Sequence, residues 1–294
     1  MRAAPLTSLL LLALLSHLAC GSPNAPTTVA TPARVESADS AVTSTPAPLA
    51  SAAPSTAPSA SASLATPAAP APPSAPAEPP ARCPDEMTFV AGGEFKPPWS
   101  PRRVTAPDLC VDTTETTARA YAECADAGAC TTHHVDCAAQ STFGKPETLD
   151  YPMVCVDFAQ ASAYCEYRQK RLPTIAEWEW AARGGAEARP FPWGDAPPKD
   201  QLCWAGAQKQ SMACQVGSHP AGDSAHGLKD MSGNVLEFTT TENDAHSDVR
   251  IARGGSWRDG APALVKNSRV GGFGLTYRCA FLGIRCVQEP NPSP

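Results

Sequence analysis

The sequence lacks three features that would each point to a particular class of protein. Its main apolar run, Leu9–Leu15, is far shorter than the ~20 residues that a mature membrane-spanning helix needs. It has no cluster of basic residues, and its formal net charge of −6 argues against a nucleic acid as partner. Its cysteines form no C-x2-C pairs, which disfavours a zinc site. We therefore expect neither a mature transmembrane helix, nor a nucleic-acid-binding domain, nor a zinc finger.

The first twenty residues have the features of an export signal. The apolar run Leu9–Leu15 is followed by the small residue Ala19, then by Cys20 and a polar stretch. We expect residues 1–20 to be a signal peptide. Two forms of processing fit it: ordinary cleavage, and the lipid attachment at Cys20 that bacterial lipoproteins undergo, which we favour. Either form places the mature chain in the cell envelope, in the periplasm or on the outer surface, and the second also ties it to a membrane.

Residues 21–81 consist mainly of alanine, proline, serine and threonine. Such a composition cannot form a hydrophobic core, and the frequent prolines keep the backbone extended. We expect a semi-stiff tether that lifts the following domain off the membrane surface. A disordered N-terminal segment without a specific role would have the same composition, so the sequence fits both interpretations.

The clearest local signal in the chain is the segment Lys170–Gly185. Thr174 and Glu177 have the spacing of a capping box, which predicts a helix that begins at Ile175 and ends at the two glycines. The helical spacing places Trp178 on an apolar face that Glu177 does not share. We expect Trp178 to be buried in a core.

Two further helices are predicted upstream. Thr117 can cap a helix that begins at Ala118 and stops near Gly128. Asp157 can cap a second helix over Phe158–Lys170.

Helical periodicity disappears after the Lys170–Gly185 segment. Turn-rich sequence and short strands such as Val249–Ala252 and Leu282–Val287 follow. We therefore expect residues 82–294 to form one α+β domain with few long elements, a size that suits a single domain.

Five motifs in one order carry a resemblance to a known family. They are RLPTIAEWEWAARGG from Arg171, FPWGD from Phe191, GLKDMSGNVLEF from Gly227, RGGSW from Arg253 and LGIRC from Leu282. Together they resemble the formylglycine-generating enzyme family, also called the sulfatase-modifying factor family, and MTFVAGGEF from Met87 is similar to the family's opening strand and turn. The resemblance implies a compact, irregular fold related to C-type lectins.

The cysteine count predicts disulfides. Of twelve cysteines, eleven remain once Cys20 is set aside, and that density in an exported chain indicates disulfide staples. The family resemblance implies that Cys165 pairs with Cys286. The short spacing of Cys203 and Cys214 favours a local loop closure.

The remaining cysteines are less constrained. Cys124, Cys130 and Cys137 are expected to staple the loop after the first helix, which spans 128–152. Four cysteines are left without a predicted partner: Cys83, Cys110, Cys155 and Cys279. Because the count is odd, one cysteine remains outside the intramolecular pairs, and Cys279 is a candidate that would be reactive if exposed.

The resemblance also implies a catalytic site, which this chain does not reproduce. Active members of the family oxidise a substrate cysteine to formylglycine with oxygen and a copper ion held by two cysteines, and soft thiolates suit Cu(I). In the family the two cysteines follow the GGS-aromatic turn. Here that turn is intact at Arg253–Trp257, but Asp259 and Leu264 stand at the two cysteine positions. We therefore expect no copper, and Ser256 to remain as a residue of the turn.

One metal site is implied by the resemblance. Asn234 and Glu237 match a family segment associated with structural calcium, and oxygen ligands suit a hard cation. A capped turn without metal explains the segment as well. A second family calcium site uses an asparagine after the FPWG motif, and Gln201–Trp204 contains none.

Iron chemistry has little support. A branch of the resembled family makes sulfoxide precursors of ergothioneine with iron ligands from a separate helical domain, and the residues before 82 are expected to be tether. His133 and His134, beside Asp136, lack a third ligand at helical spacing. We interpret them as a solvated loop.

These observations predict an exported, lipid-anchored protein whose domain acts as a binding or scaffold module. The resemblance implies a groove that receives an extended peptide, so the expected partner is a peptide or another envelope ligand of unknown identity. One alternative is an active formylglycine-generating or related oxidase, with Ser256, Asp259 and Cys279 near its site. Another is a structural envelope protein. The sequence leaves enzymatic activity open.

Overall fold

The computed structural model describes residues 83–207, 209–243 and 246–291. The expected signal peptide at 1–20, Cys20 and the expected tether at 21–81 lie outside the described residues. Among the helices of the described ranges, none is both long enough and apolar enough to cross a bilayer.

Short strands pair into three small sheets in the described part of the chain. The strands are β1 (Met87–Val90), β2 (Gly93–Phe95), β3 (Val104–Ala106), β4 (Leu109–Asp112), β5 (Leu236–Asn243), β6 (His246–Arg253), β7 (Val270–Gly274), β8 (Leu282–Gly283) and β9 (Val287–Gln288). The sheet orders are β1-β4-β9, β2-β3 and β7-β6-β5-β8. All pairings are antiparallel except that of β5 with β8.

Two predicted strands differ in length from the structure. The expected strand at Val249–Ala252 is the inner part of the longer β6, which pairs with β5 and β7. The expected strand at Leu282–Val287 is divided into β8 and β9, which belong to different sheets. The chain therefore crosses between two sheets within the LGIRC motif, and this crossing places Arg285 in the core.

Three α-helices are found where the sequence predicts them: α1 (Ala118–Asp126), α2 (Phe158–Tyr167) and α3 (Ile175–Ala182). The Thr117 side chain accepts a hydrogen bond from the Ala120 N–H. Asp157 forms a capping box with Gln160, and Thr174 forms one with Glu177. Because these caps are local, the predicted helix starts are confirmed.

The second helix ends earlier than predicted. It stops at Tyr167 rather than at Lys170, because Gln169 adopts a positive φ of 59° that leaves the helix. Lys170 then turns inward, where its Nζ donates to Asp112 Oδ1 at 2.7 Å and to Glu86 Oε1 at 3.2 Å.

The third helix carries the centre of the core. Trp178 is 2% exposed, as predicted from its helical spacing. Glu177 lies off the apolar face but is buried as well, since its carboxylate accepts hydrogen bonds from both terminal nitrogens of Arg171 at 2.7 and 2.8 Å. The helix is therefore enclosed on more than its apolar face.

Five disulfides join the described cysteines. They are Cys83–Cys110, Cys124–Cys130, Cys137–Cys155, Cys165–Cys286 and Cys203–Cys214. Two of these, Cys165–Cys286 and Cys203–Cys214, are the pairs named from the sequence. Of the cysteines expected to staple the loop after α1, Cys124 bonds to Cys130, and Cys137 bonds to Cys155, which lies just beyond the end of the loop at 152.

The eleventh cysteine of the described range is Cys279. It takes no part in the five disulfides and is fully buried. Its carbonyl oxygen accepts a hydrogen bond from the Cys155 N–H at 3.1 Å. Reactivity of Cys279 was predicted only on the condition that its thiol is exposed, and the thiol is buried.

Candidate functional site

The RGGSW turn follows β6 and depends on its two glycines. Gly254 and Gly255 have positive φ values of 100° and 76°, a region that favours glycine. A Cβ atom on Gly255 would lie 2.5 Å from the carbonyl oxygen of Leu264. The turn therefore packs directly against the backbone at position 264.

Ser256 and Asp259 form the polar centre of this turn. The backbone N–H and the hydroxyl of Ser256 both donate to Asp259 Oδ2, at 2.8 and 3.0 Å. Ser256 is only 2% exposed, whereas Asp259 is half-buried. The carboxylate of Asp259 thus closes the turn as a capping residue does.

The environment of Asp259 shifts the pKa of its carboxyl upward. Burial raises the pKa of this carboxyl, although the hydrogen bonds from Ser256 and the charges of Arg269 and Arg258 act in the opposite direction. An oxygen ligand of this kind does not reproduce a thiolate at a copper site.

Leu264 occupies the second position at which the family resemblance implies a cysteine. It lies in a short 3₁₀ turn, Pro262–Val265, and its side chain is half-buried. Its hydrocarbon side chain offers no metal ligand. Position 259 therefore lies at the end of the RGGSW turn and carries a carboxylate, whereas position 264 lies in the adjacent 3₁₀ turn and carries an aliphatic group.

An exposed arginine borders the turn. The guanidinium carbon of Arg258 lies 5.0 Å from the ring centre of Phe281 and 5.9 Å from that of Trp257. The Trp257 Nε1 donates to the carbonyl of Ala280 at 2.9 Å, which fixes the indole ring. Arg258 thus lies as an exposed cation over the rings of Trp257 and Phe281, an arrangement that the sequence motifs do not indicate.

Asn234 connects the turn to the neighbouring loop. Its carbonyl accepts the Trp257 N–H at 2.8 Å, and its Oδ1 accepts the Cys214 N–H at 2.9 Å. Its Nδ2 donates to Glu115 Oε2 at 2.6 Å. This buried residue, with a positive φ of 51°, holds the turn and the Cys203–Cys214 loop together.

Glu237 takes part in a buried ion pair. Its two carboxylate oxygens accept hydrogen bonds from Nε and Nη2 of Arg285 at 2.8 to 3.0 Å. Its Oε2 also accepts the Trp178 Nε1–H at 2.5 Å. The side chains of Glu237 and Arg285 are at most 1% exposed.

These contacts do not favour the expected calcium site. The Glu237 carboxylate already has a guanidinium as its counter-ion, and one oxygen of Asn234 is used by a backbone N–H. In the described ranges, no group of three or more histidine, cysteine, aspartate or glutamate side chains is placed to hold a metal ion. Calcium at Asn234 and Glu237 stays a prediction.

More carboxylates surround Arg285 than one cation can neutralise. Burial raises the pKa of Glu115 well above its usual range, and the nearby charges of Asp230 and Glu237 add to this effect. Burial also raises the pKa of Asp230. Arg285 is therefore the central cation of an acidic core cluster, which we name the Arg285 cluster: Glu115, Asp230, Glu237 and Arg285.

Sequence reasoning missed this cluster. The available signal was the arginine of LGIRC, because a charged residue between apolar neighbours in a predicted buried strand needs a counter-ion.

The histidine pair His133 and His134, which the sequence suggested as a solvated loop, is exposed, and the centres of the two rings lie 4.0 Å apart. Asp136 beside them is exposed as well.

Comparison with known families gives an independent assignment. A family model described as "Sulfatase-modifying factor enzyme 1-like domain" matches residues 73–290. Inactive C-alpha-formylglycine-generating enzyme 2 from Bos taurus is 40% identical over 129 residues, which cover 40% of this chain and 42% of that protein. Formylglycine-generating enzyme from Mycobacterium tuberculosis is 40% identical over 109 residues, covering 34% of this chain and 36% of that protein.

A third relative has a different name. Hercynine oxygenase from Mycolicibacterium smegmatis is 35% identical over 156 residues, covering 44% of this chain and 36% of that protein. The chain thus spans less than half the length of these curated relatives. Their names include one inactive protein and two enzymes.

Solved structures share the fold. CarF superposes with a TM-score of 0.57 at 17% identity, covering 71% of this chain and 99% of that one. Treponema denticola variable protein 1 gives a TM-score of 0.56 at 20% identity, covering 69% and 95%. The α+β, disulfide-stapled fold related to C-type lectins that the sequence predicted is confirmed.

Proposed function

Because the chain belongs to the sulfatase-modifying factor enzyme 1-like domain family, we propose that it is a member that has kept the scaffold and lost the copper site. Its role is that of a binding or scaffold module, with a peptide or another envelope ligand in the groove beside the RGGSW turn. The observation that carries this proposal is the pair of residues at the two cysteine positions. Asp259 is committed to Ser256, and Leu264 offers no ligand.

The intact turn supports the same proposal. A turn that had degenerated would not need two glycines at positive φ or a buried Ser256, yet all three are present. The fold around the site is therefore maintained while its thiolates are absent. A turn that is kept without the reactive groups of the family favours binding over oxidation.

A copper titration tests the proposal. The wild-type chain is expected to bind no Cu(I) at this site, whereas the double variant Asp259→Cys with Leu264→Cys is expected to gain about one equivalent, because it restores thiolates at both family cysteine positions and thiolates suit Cu(I). Competition against a chromophoric Cu(I) chelator, with ascorbate as the mild reductant, measures both. Copper bound by the wild type as tightly as by the double variant would contradict the proposal.

We also propose export and lipid anchoring at Cys20. The support is chemical: five disulfides within one domain suit an oxidising compartment outside the cytoplasm. The chain is expected to sediment with membranes, and Cys20→Ser is expected to shift it to the soluble fraction. A Cys20→Ser protein that still sediments with membranes would refute the anchor.

A further inference from the structure

We propose that a second surface, formed by Lys96–Pro101 and Arg183, binds an extended acidic peptide. We name it the Trp99 groove. It is an open depression of about 670 Å³ on the surface of the domain. None of the residues that line it belongs to the RGGSW turn, although Arg253 of that turn lies beneath it, so failure of peptide binding here would leave the proposed function standing.

The walls of the Trp99 groove are rigid. Pro97, Pro98 and Pro101 restrict the backbone of the loop, which lowers the entropy lost on binding. Trp99 is 37% exposed, and its Nε1 donates to Glu179 Oε2 at 2.5 Å. The indole is therefore held against the domain by its polar edge and leaves part of its ring accessible to a ligand.

The charge beneath the groove is unbalanced. The single carboxylate of Glu179 accepts hydrogen bonds from Trp99, from Arg183 Nη1 at 3.4 Å and from Arg253 Nη2 at 2.7 Å. Two guanidinium groups thus share one carboxylate, and Glu179 and Arg253 are nearly inaccessible to solvent. The excess of one positive charge favours an anionic ligand.

Several donors in this region lack partners. The Nε of Arg183, and both Nε and Nη1 of Arg253, are buried without a hydrogen-bond acceptor within the described residues. Arg183 lines the groove directly, and Lys96 at its rim forms no ion pair with any described residue. Because these unpaired nitrogens are buried, they act on a ligand in the groove through their charge, and the accessible cation of the lining is Lys96. This cationic site stands against the net charge of −6 for the whole chain.

The shape and chemistry favour a peptide over a membrane. A flat aromatic ring among prolines is the kind of surface that recognises extended, proline-containing segments. Insertion of Trp99 into a bilayer would require its indole N–H to leave Glu179, which would leave a buried carboxylate with one fewer donor. An acidic peptide needs no such change.

The test uses calorimetric titration of the full chain with a capped peptide of alternating glutamate and proline. We expect saturable binding, weakened about tenfold or more by Trp99→Ala and by Lys96→Glu, because each removes one recognition element. Phe89→Ala and Lys199→Glu are the matched controls, since they alter an exposed aromatic ring and an exposed lysine outside the groove. Both controls are expected to retain wild-type affinity.

Three outcomes would overturn this inference. The first is equal affinity for a peptide of alternating alanine and proline, which would remove the role of charge. The second is equal affinity for free succinate, which would point to a small carboxylate rather than a peptide. The third is the absence of saturable peptide binding; if Trp99-dependent binding to vesicles of anionic phospholipid accompanies it, the loop is a membrane contact.

Discussion

Replacing Arg285 with methionine is expected to lower the free energy of unfolding by about 3–5 kcal/mol. The side chain is completely buried, and its guanidinium contacts both oxygens of Glu237 and the carbonyls of Asp112 and Lys229. Removing it leaves the carboxylates of the Arg285 cluster without their central cation. The expected loss of stability reflects the penalty of leaving a buried carboxylate without its counter-ion. It does not measure the net contribution of the ion pair to folding.

Urea denaturation followed by tryptophan fluorescence measures this loss. Arg119→Met is the matched control, because Arg119 forms an ion pair with Asp150 in which both side chains are about half exposed. Such a pair is expected to contribute less than about 1 kcal/mol. Adding Glu237→Gln to Arg285→Met should recover part of the loss, because it removes the stranded charge. Equal losses for Arg285→Met and Arg119→Met would contradict the assignment of Arg285 as the central cation.

Removing the Cys165–Cys286 disulfide is expected to have an effect of similar size. The bond joins α2 to the LGIRC motif across a sequence separation of 121 residues. In the chain-entropy model a loop of that length corresponds to about 5 kcal/mol of stabilisation at 25 °C. The double variant Cys165→Ala with Cys286→Ala is therefore expected to unfold at markedly lower urea concentration.

The Cys124–Cys130 disulfide provides the control. It has a sequence separation of only 6 residues, for which the same relation gives about 2 kcal/mol. All four cysteines are at most 7% exposed, so the two double alanine variants lose comparable packing. If removal of Cys124–Cys130 lowers the free energy of unfolding as much as removal of Cys165–Cys286, or more, then chain entropy does not determine how much these disulfides stabilise the fold.

The sequence predicted those parts of the fold that local chemistry determines. The three helix starts were found because Thr117, Asp157 and Thr174 satisfy backbone N–H groups within three residues of themselves. The early end of α2 was missed because it depends on a positive φ at Gln169, which the local sequence pattern does not indicate.

Pairings between distant residues were harder to predict. The hairpin of β5 and β6 contains polar stretches such as TTTEN and HSDVR, which show no apolar alternation. These residues form strands because the two segments pair with each other and β6 also pairs with β7. The Cys137–Cys155 and Cys83–Cys110 bonds likewise depend on three-dimensional proximity that spacing does not reveal.

In the candidate site, too, features set by neighbouring residues were predictable and contacts between distant residues were not. Positions 259 and 264 were identified by counting from the RGGSW turn, which motif spacing allows. The bonds between Ser256 and Asp259 follow from that short spacing. The role of Glu237 was not accessible, because its partner Arg285 lies 48 residues away and a glutamate that binds calcium looks the same in sequence as one that binds arginine.

We propose that this domain keeps the family scaffold without the oxidase chemistry. The most direct measurement is mass spectrometry of a peptide containing a Cys-x-Pro-x-Arg segment after incubation with the purified chain, Cu(I) and oxygen. We expect the peptide mass to remain unchanged, because Asp259 and Leu264 supply no thiolate. A mass loss corresponding to conversion of the peptide cysteine to formylglycine, dependent on the chain, would contradict it.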